Sequence, residues 1–238
     1  LYLADDGVIL FAGHEKIISP DELNELASKL SKVLFDQGYV RIITRPFTGD
    51  PGSFIRLEEF RRDHILTTLP ETNVFDELVE SGIKVRLTEH LQRIFGNKKG
   101  INILKGSYKT KELLPIIQND ILNGDESLFM YVIPDTDNFG HKKDVSGFRN
   151  SMLEIDNWLE KFTQTLRSTD LLLITADHGV DPTVTMRGHC REYVPLLVYS
   201  PSLVGSSDLG TKTFGVIGES IRNNFHLRKK SEELLNIF

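Results

Sequence analysis

Asp170-Leu-Leu-Leu-Ile-Thr-Ala-Asp-His-Gly179 is the stretch on which the fold assignment turns. Its apolar run leads straight into an adjacent Asp177-His178 pair, and Gly179 closes it. A short, unbroken apolar run predicts a strand buried on both faces, as in a parallel sheet. Open α/β sheets carry their chemistry at the carboxyl ends of such strands. An aspartate and a histidine at that position offer a hard oxygen and an imidazole nitrogen, a donor pair suited to a divalent metal.

Outward from this stretch the pattern repeats. Upstream, helix Asn73–Glu80 leads to strand Ile83–Leu87, helix Lys111–Leu122 to strand Ser127–Ile133, and helix Val145–Leu166 to the quoted strand, Leu171–Thr175. Downstream come strand Pro195–Tyr199 and helix Phe214–Asn224. Helices alternating with apolar strands predict an α/β fold with a mostly parallel sheet. In the long helix Val145, Phe148, Met152, Ile155, Leu159 and Phe162 recur at three- and four-residue spacing, an apolar face expected to lie on the sheet. Nearer the amino terminus, strand Val8–Ala12 precedes a helix that opens at Pro20 with Ser19 as N-cap and runs to about Asp36; strand Tyr39–Thr44 follows. Arg45 to Leu69 reads as irregular, and a boundary near residue 68 divides an α+β module (1–68) from the sheet domain (69–238).

The chain has 238 residues, 39% of them hydrophobic, enough for a substantial core. Its net charge of -6 argues against a general nucleic-acid binder. The single cysteine, Cys190, excludes an internal disulfide framework and suits a reducing, cytoplasmic setting. No apolar run approaches the roughly 20 residues needed to span a bilayer. The chain begins at Leu1, inside strand-like sequence, which leads to the expectation of further sequence upstream.

Further candidate ligands flank the quoted stretch. Asp137 and His141 stand four residues apart, a spacing that turns both toward one point within a helical or loop turn, and Gly140 between them permits close backbone approach. His189 lies eleven residues beyond His178 on a segment able to fold back. Two aspartates and three histidines on post-strand segments exceed the needs of one ion and would hold two.

Several segments resemble one family. Thr175-Ala-Asp-His-Gly-Val-Asp-Pro-Thr183, then His189, then Arg191-Glu192-Tyr-Val-Pro-Leu-Leu-Val-Tyr199 resemble the C-terminal signature of phosphopentomutases, members of the alkaline phosphatase superfamily. Gly140-His141-Lys-Lys-Asp144 is similar to that family's Gly-His-Arg-Arg-Asp segment; Arg45-Pro-Phe-Thr-Gly49, Gly52, Phe54 and Arg56 resemble its substrate-side loop; Ala4-Asp5 with His14-Glu15 resemble its cap-domain strand pair. The resemblance implies an alkaline phosphatase-like core, present in part, with a smaller cap. It implies interconversion of (deoxy)ribose 1-phosphate and (deoxy)ribose 5-phosphate, an isomerase activity of nucleoside catabolism, with two Mn²⁺ and a phosphorylated threonine. It assigns Asp137, His141 and His189 to one metal, Asp177 and His178 to the other, and Arg45, Arg56, Asp5 and His90 to the sugar phosphate. The partner it implies is a small pentose phosphate, with neither nucleic acid nor membrane.

The chain also departs from that pattern. The family's nucleophilic threonine and one metal-binding aspartate belong to an N-terminal half without a counterpart here; Thr136, Thr175 and Thr183 do not match the nucleophile motif. The Asp137–His141 spacing resembles cofactor-independent phosphoglycerate mutases instead, which leaves Asp135 as an alternative ligand. His90 stands where the family has a lysine, and Gly188 where it has an aspartate. Three readings follow: a fragment or truncated copy of a phosphopentomutase whose complete form carries out the mutase reaction, a different metal-dependent phosphotransferase of the superfamily, or a non-catalytic remnant that binds metal or sugar phosphate or only pairs with another chain. Loss of an N-terminal half would leave apolar faces uncovered, so self-association or pairing with the missing half is expected.

Overall fold

The computed structural model describes residues 1–3, 8–34, 37, 39, 41–65, 73–95, 99–185, 188–190 and 192–227. The fold is mixed α/β and divides into two compact units, Leu1–Leu69 and Pro70–Phe238.

The first unit is built on a β-α-β crossover. Strand β1 (Tyr2–Leu3) lies antiparallel on β2 (Val8–His14), helix α1 (Pro20–Leu34) returns, and β3 (Arg41–Thr48) runs parallel to β2 in register from Val8↔Arg41 to His14↔Phe47. Ser19 does start α1: its Oγ accepts from the Glu22 amide at 3.3 Å, while Glu22 Oε2 accepts from the Ser19 amide at 3.0 Å. The reciprocal pair satisfies two donors that a helix start otherwise leaves open. Ala27 of α1 is fully buried in one cluster with Ile9 and Ile42 of the sheet.

The stretch from Arg45 is less irregular than its Gly, Pro and Arg content suggests. Strand β3 continues through Thr48, and two short strands, β4 (Ile55–Arg56) and β5 (Asp63–Ile65), both pair antiparallel with it. With β2 on one side and β4 and β5 on the other, β3 has its ladder bonds met on both edges, which outweighs its weak local strand signal. Residues 66–69 lie outside the described residues.

The second unit holds three parallel strands in the order β7-β6-β8: β6 (Val85–Thr88) at the centre, β7 (Ile101–Leu104) and β8 (Leu128–Met130) at the sides. Helix α2 (Val74–Glu80) enters β6, α3 (Glu89–Phe95) joins β6 to β7, and α4 (Thr110–Asn123) joins β7 to β8. Alternate residues of β6 serve opposite faces, as the strand period requires. Val85 and Leu87 pack with Phe75 and Leu78 of α2, Leu91 of α3 and Ile221 of α7 (Gly215–Asn224). Arg86, between them in sequence, is paired to Asp120 of α4 at 2.5 Å, and the Tyr131 hydroxyl donates to the same Asp120 oxygen at 2.6 Å. Burial pushes the Tyr131 phenol up, and the bond to Asp120 adds to that. Leu113, Leu114 and Ile117 of α4 fill a separate core with Ile133 and Trp158.

Three sequence expectations change here. The opening strand, β9 (Leu172–Thr175), is not in the parallel sheet: it pairs antiparallel with β10 (Leu196–Tyr199) in a two-stranded sheet of its own, with Leu172, Leu173 and Ile174 half-buried rather than enclosed and Thr175 exposed. A run buried on two faces and a run half-covered in a small sheet carry the same apolar signature. The long helix α6 (Val145–Phe162) ends at Phe162 in a short 3₁₀ turn; of the expected stripe Phe162 is buried and Phe148, Ile155 and Leu159 are partly buried, whereas Val145 and Met152 are about half exposed, and small Ser151 is buried with them. Finally, α3 and β7 were not separated in the sequence pattern, each being shorter than the window in which periodicity is read.

Candidate metal centre

Strands β6 and β8 run parallel, so the residues just past Thr88 and just past Met130 lie at the same, carboxyl edge of the sheet. Past β8, after Pro134, the chain turns into helix α5 (Asp135–Lys142). One helical turn puts Asp137 and His141 on a common side: His141 Nε2 is 3.2 Å from Asp137 Oδ1. Two carboxylates occupy the first turn of α5, and they do different things. Asp135 Oδ2 accepts from the Thr110 amide at 2.7 Å, at the start of α4. Asp137 points to the histidines, so the two alternatives left open by spacing are separated by where their carboxylates go.

The segment after β9 supplies the other side. Its Gly179 forms an isolated bridge with Cys190, the Cys190 amide donating to the Gly179 carbonyl at 2.7 Å. That bridge closes a loop, and His178 and His189 stand just beside its two ends. Their rings stack, with centroids 3.5 Å apart and 12° between planes. His178 Nε2 lies 3.8 Å from Asp137 Oδ1, and the His141 and His189 rings are 5.2 Å apart. One donor atom each from Asp137, His178 and His189 falls within 4.8 Å of the other two. Asp177 sits at the rim, its side chain 81% exposed; one oxygen accepts from the His178 amide at 3.2 Å and the other is 3.6 Å from His178 Nε2.

Two contacts bring the loop and α5 together. A Cβ on Gly140 would lie 2.5 Å from Val180 Cγ1, so only glycine admits this approach. The ammonium of Lys143 donates to the Thr185 carbonyl. Asp181 turns the loop, accepting from the Thr183 amide at 2.8 Å and its hydroxyl at 2.6 Å, and these bonds hold its carboxyl below the ordinary value.

The arrangement fits a cation. Asp137 Oδ1 is buried and has no hydrogen-bond partner, although imidazole nitrogens lie 3.2 and 3.8 Å away. A buried carboxylate oxygen in that state is costly. A divalent ion among Asp137, His178 and His189 would satisfy it, and the mixed O/N donor set is one that first-row metals accept; His141, although 3.2 Å from Asp137, does not join that group.

The remaining sequence candidates among the described residues each sit on their own element. Arg45 is half-buried on β3, and burial followed by the positive charges of Arg56 and Arg61 lowers its affinity for its proton. Such a cluster of like charges gains from an anion. Arg56 is exposed, 3.8 Å from Glu58. His90 is exposed in the first turn of α3, just past β6 at the same sheet edge as α5. Asp5 lies outside the described residues. Among the described residues no helix is long and apolar enough to cross a membrane.

Sequence reading did not reveal the Asp135 contact to α4 or the Lys143 contact to the loop; both depend on tertiary placement with no local motif. Compared with known families, residues 35–229, the greater part of the chain, match the model described as Metalloenzyme: Metalloenzyme superfamily.

Proposed function

Since the chain belongs to the Metalloenzyme superfamily, within the alkaline phosphatase-like group, we propose that it is a metal-dependent phosphotransferase of phosphopentomutase type, interconverting (deoxy)ribose 1-phosphate and (deoxy)ribose 5-phosphate in the cytoplasm with Mn²⁺. The observation that carries the metal part is the orphaned Oδ1 of Asp137 facing His141 and His178. Metal-dependent phosphoryl transfer is the chemistry that family membership suggests.

In this reading Asp137, His141 and His189 hold one ion, and Asp177 and His178 hold the other. When bound, such ions neutralise phosphoryl oxygens and raise the nucleophilicity of the attacking group. The chain's own residues do the rest. Residues 69–238 are the metal-binding core, and residues 1–68 act as a cap that supplies sugar-phosphate recognition. Arg45 and Arg56 bind the phosphate through paired guanidinium contacts. Asp5 accepts from sugar hydroxyls, and His90 contributes a donor at the carboxyl edge of the sheet. None of the 238 residues is assigned as nucleophile.

A second reading, another phosphotransferase or a phosphatase of the same group, is favoured by the four-residue Asp137–His141 spacing and by Gly188 before His189. Phosphorus NMR on the Mn²⁺-loaded chain with ribose 1-phosphate separates the two. Appearance of ribose 5-phosphate supports the mutase, and release of inorganic phosphate supports the phosphatase. Binding of Mn²⁺ and ribose 5-phosphate without turnover supports the binding reading for this chain, in which no residue is assigned as nucleophile.

A further inference from the structure

Lys143 has an unusual backbone. It ends α5 in the left-handed region, φ 59° and ψ 32°, one of two non-glycine residues with positive φ among the described residues. Glycine is the residue that takes this helix-ending conformation without a Cβ clash. A lysine there keeps the helix stop, its amide donating to the Gly140 carbonyl at 3.0 Å, and adds a long cation that a glycine cannot supply. That cation reaches the carbonyl of Thr185, 42 residues on, in the segment between His178 and His189.

The position of this contact gives it meaning. Two ligand candidates, Asp137 and His141, ride on α5; two others, His178 and His189, ride on the loop. They form one cluster only while helix and loop stay docked. Gly140 against Val180 is a steric fit at one point. Lys143 on Thr185 is a polar tie at a second point, past the turn that Asp181 and Thr183 make. Two separated contacts fix an angle where one would leave a pivot.

We propose that Lys143 is a positioning residue of the metal centre, clasping the 178–190 loop to the end of α5 so that His178 and His189 are held toward Asp137. This rests on the reading of the cluster as a metal centre. The partner of the ammonium is a backbone carbonyl, so the clasp needs a long donor at residue 143 and no particular side chain at 185.

The test uses Lys143→Gly, which preserves the left-handed turn and removes only the clasp, beside Lys143→Arg, which restores a long donor. Amide hydrogen exchange on the metal-free chain is read first, then Co²⁺ affinity and the visible Co²⁺ spectrum, then the melting temperature. In Lys143→Gly, amides 178–190 should lose protection while the rest of the chain keeps its own. Co²⁺ should bind about tenfold more weakly with an altered ligand-field band, as for other supports that orient ligands without touching the metal. The melting temperature should hold, and Lys143→Arg should recover protection and affinity. Unchanged loop protection overturns the clasp. A global fall in melting temperature and protection overturns positioning in favour of general stabilisation. A parent chain that binds no Co²⁺ overturns the metal reading, and the metal-free exchange data still decide the clasp.

Discussion

The imidazole of His178 lies flat on that of His189, ring centroids 3.5 Å apart and planes 12° from parallel, although eleven positions separate them in the chain. The Gly179–Cys190 bridge makes this possible by closing the loop immediately beside both residues. Each ring then shares a neighbourhood with Asp137, on a different element.

Removing one of these rings tests the ligand assignment directly. His189→Ala should weaken Mn²⁺ binding at least about tenfold, since a metal loses a donor and the remaining set must reorganise. Titration calorimetry reads it; equal affinity in parent and variant would return His189 to an ordinary loop histidine.

Gly140→Ala addresses the fit between α5 and the loop. The new Cβ would meet Val180 Cγ1 at 2.5 Å and Cγ2 at 2.7 Å. Overpacking of this kind costs about 1–3 kcal/mol, against a helix-propensity gain of about 1 kcal/mol. The expected net is a melting temperature lower by a few degrees, roughly 2–4 °C per kcal/mol for a chain of this size. Adding Val180→Ala should recover part of it. A melting temperature equal to the parent's would mean that the loop yields without cost.

Asp63 gives a pH-dependent prediction in the first unit. Burial alone would push its carboxyl up, but the hydrogen bond from Arg41 at 2.5 Å and the charge of Arg61 outweigh burial and hold it below the ordinary value. A carboxyl depressed in the folded state contributes fully above its unfolded value, about 3.9, and loses that contribution as pH falls through the lower folded value. Asp63→Asn should therefore cost about 1–2 kcal/mol at pH 7, a charged hydrogen bond reduced by partial solvent screening. The gap to the parent in urea unfolding should narrow below about pH 4. A gap of constant size at pH 7 and pH 3 would remove the ion pair as its source.

Much of this was legible in the residues themselves. The helix over Pro20–Leu34 begins where Ser19 and Pro20 announce it, and α2 starts within a residue of its expected place, with Asn73 as its cap, the side-chain oxygen accepting from the Phe75 and Asp76 amides. The convergence of Asp137 with His141 follows from helical geometry, which local spacing encodes. The partner of β9 was not legible, because an apolar strand states how much it is covered and not by which neighbour, nor in which direction that neighbour runs. On α6 the stripe held at Phe148, Ile155, Leu159 and Phe162 but passed over one inner residue, for a related reason. Small Ser151 sits inside against Thr110, their hydroxyls 3.2 Å apart, where a hydrophobicity stripe has no reason to look. Asp135 and Asp137 could not be ranked from sequence, since a cap on another helix and a seat beside three imidazoles ask for the same side chain.

The unpartnered Oδ1 of Asp137 also bears on how the protein behaves between encounters with metal. If an ion is what satisfies that oxygen, the empty fold holds a standing deficit that occupancy cancels, and stability rises with free ion concentration as for any ligand that binds only the native state. Cellular ion supply would then set how long each molecule survives, and scarcity would thin the population through turnover before it slowed any single molecule.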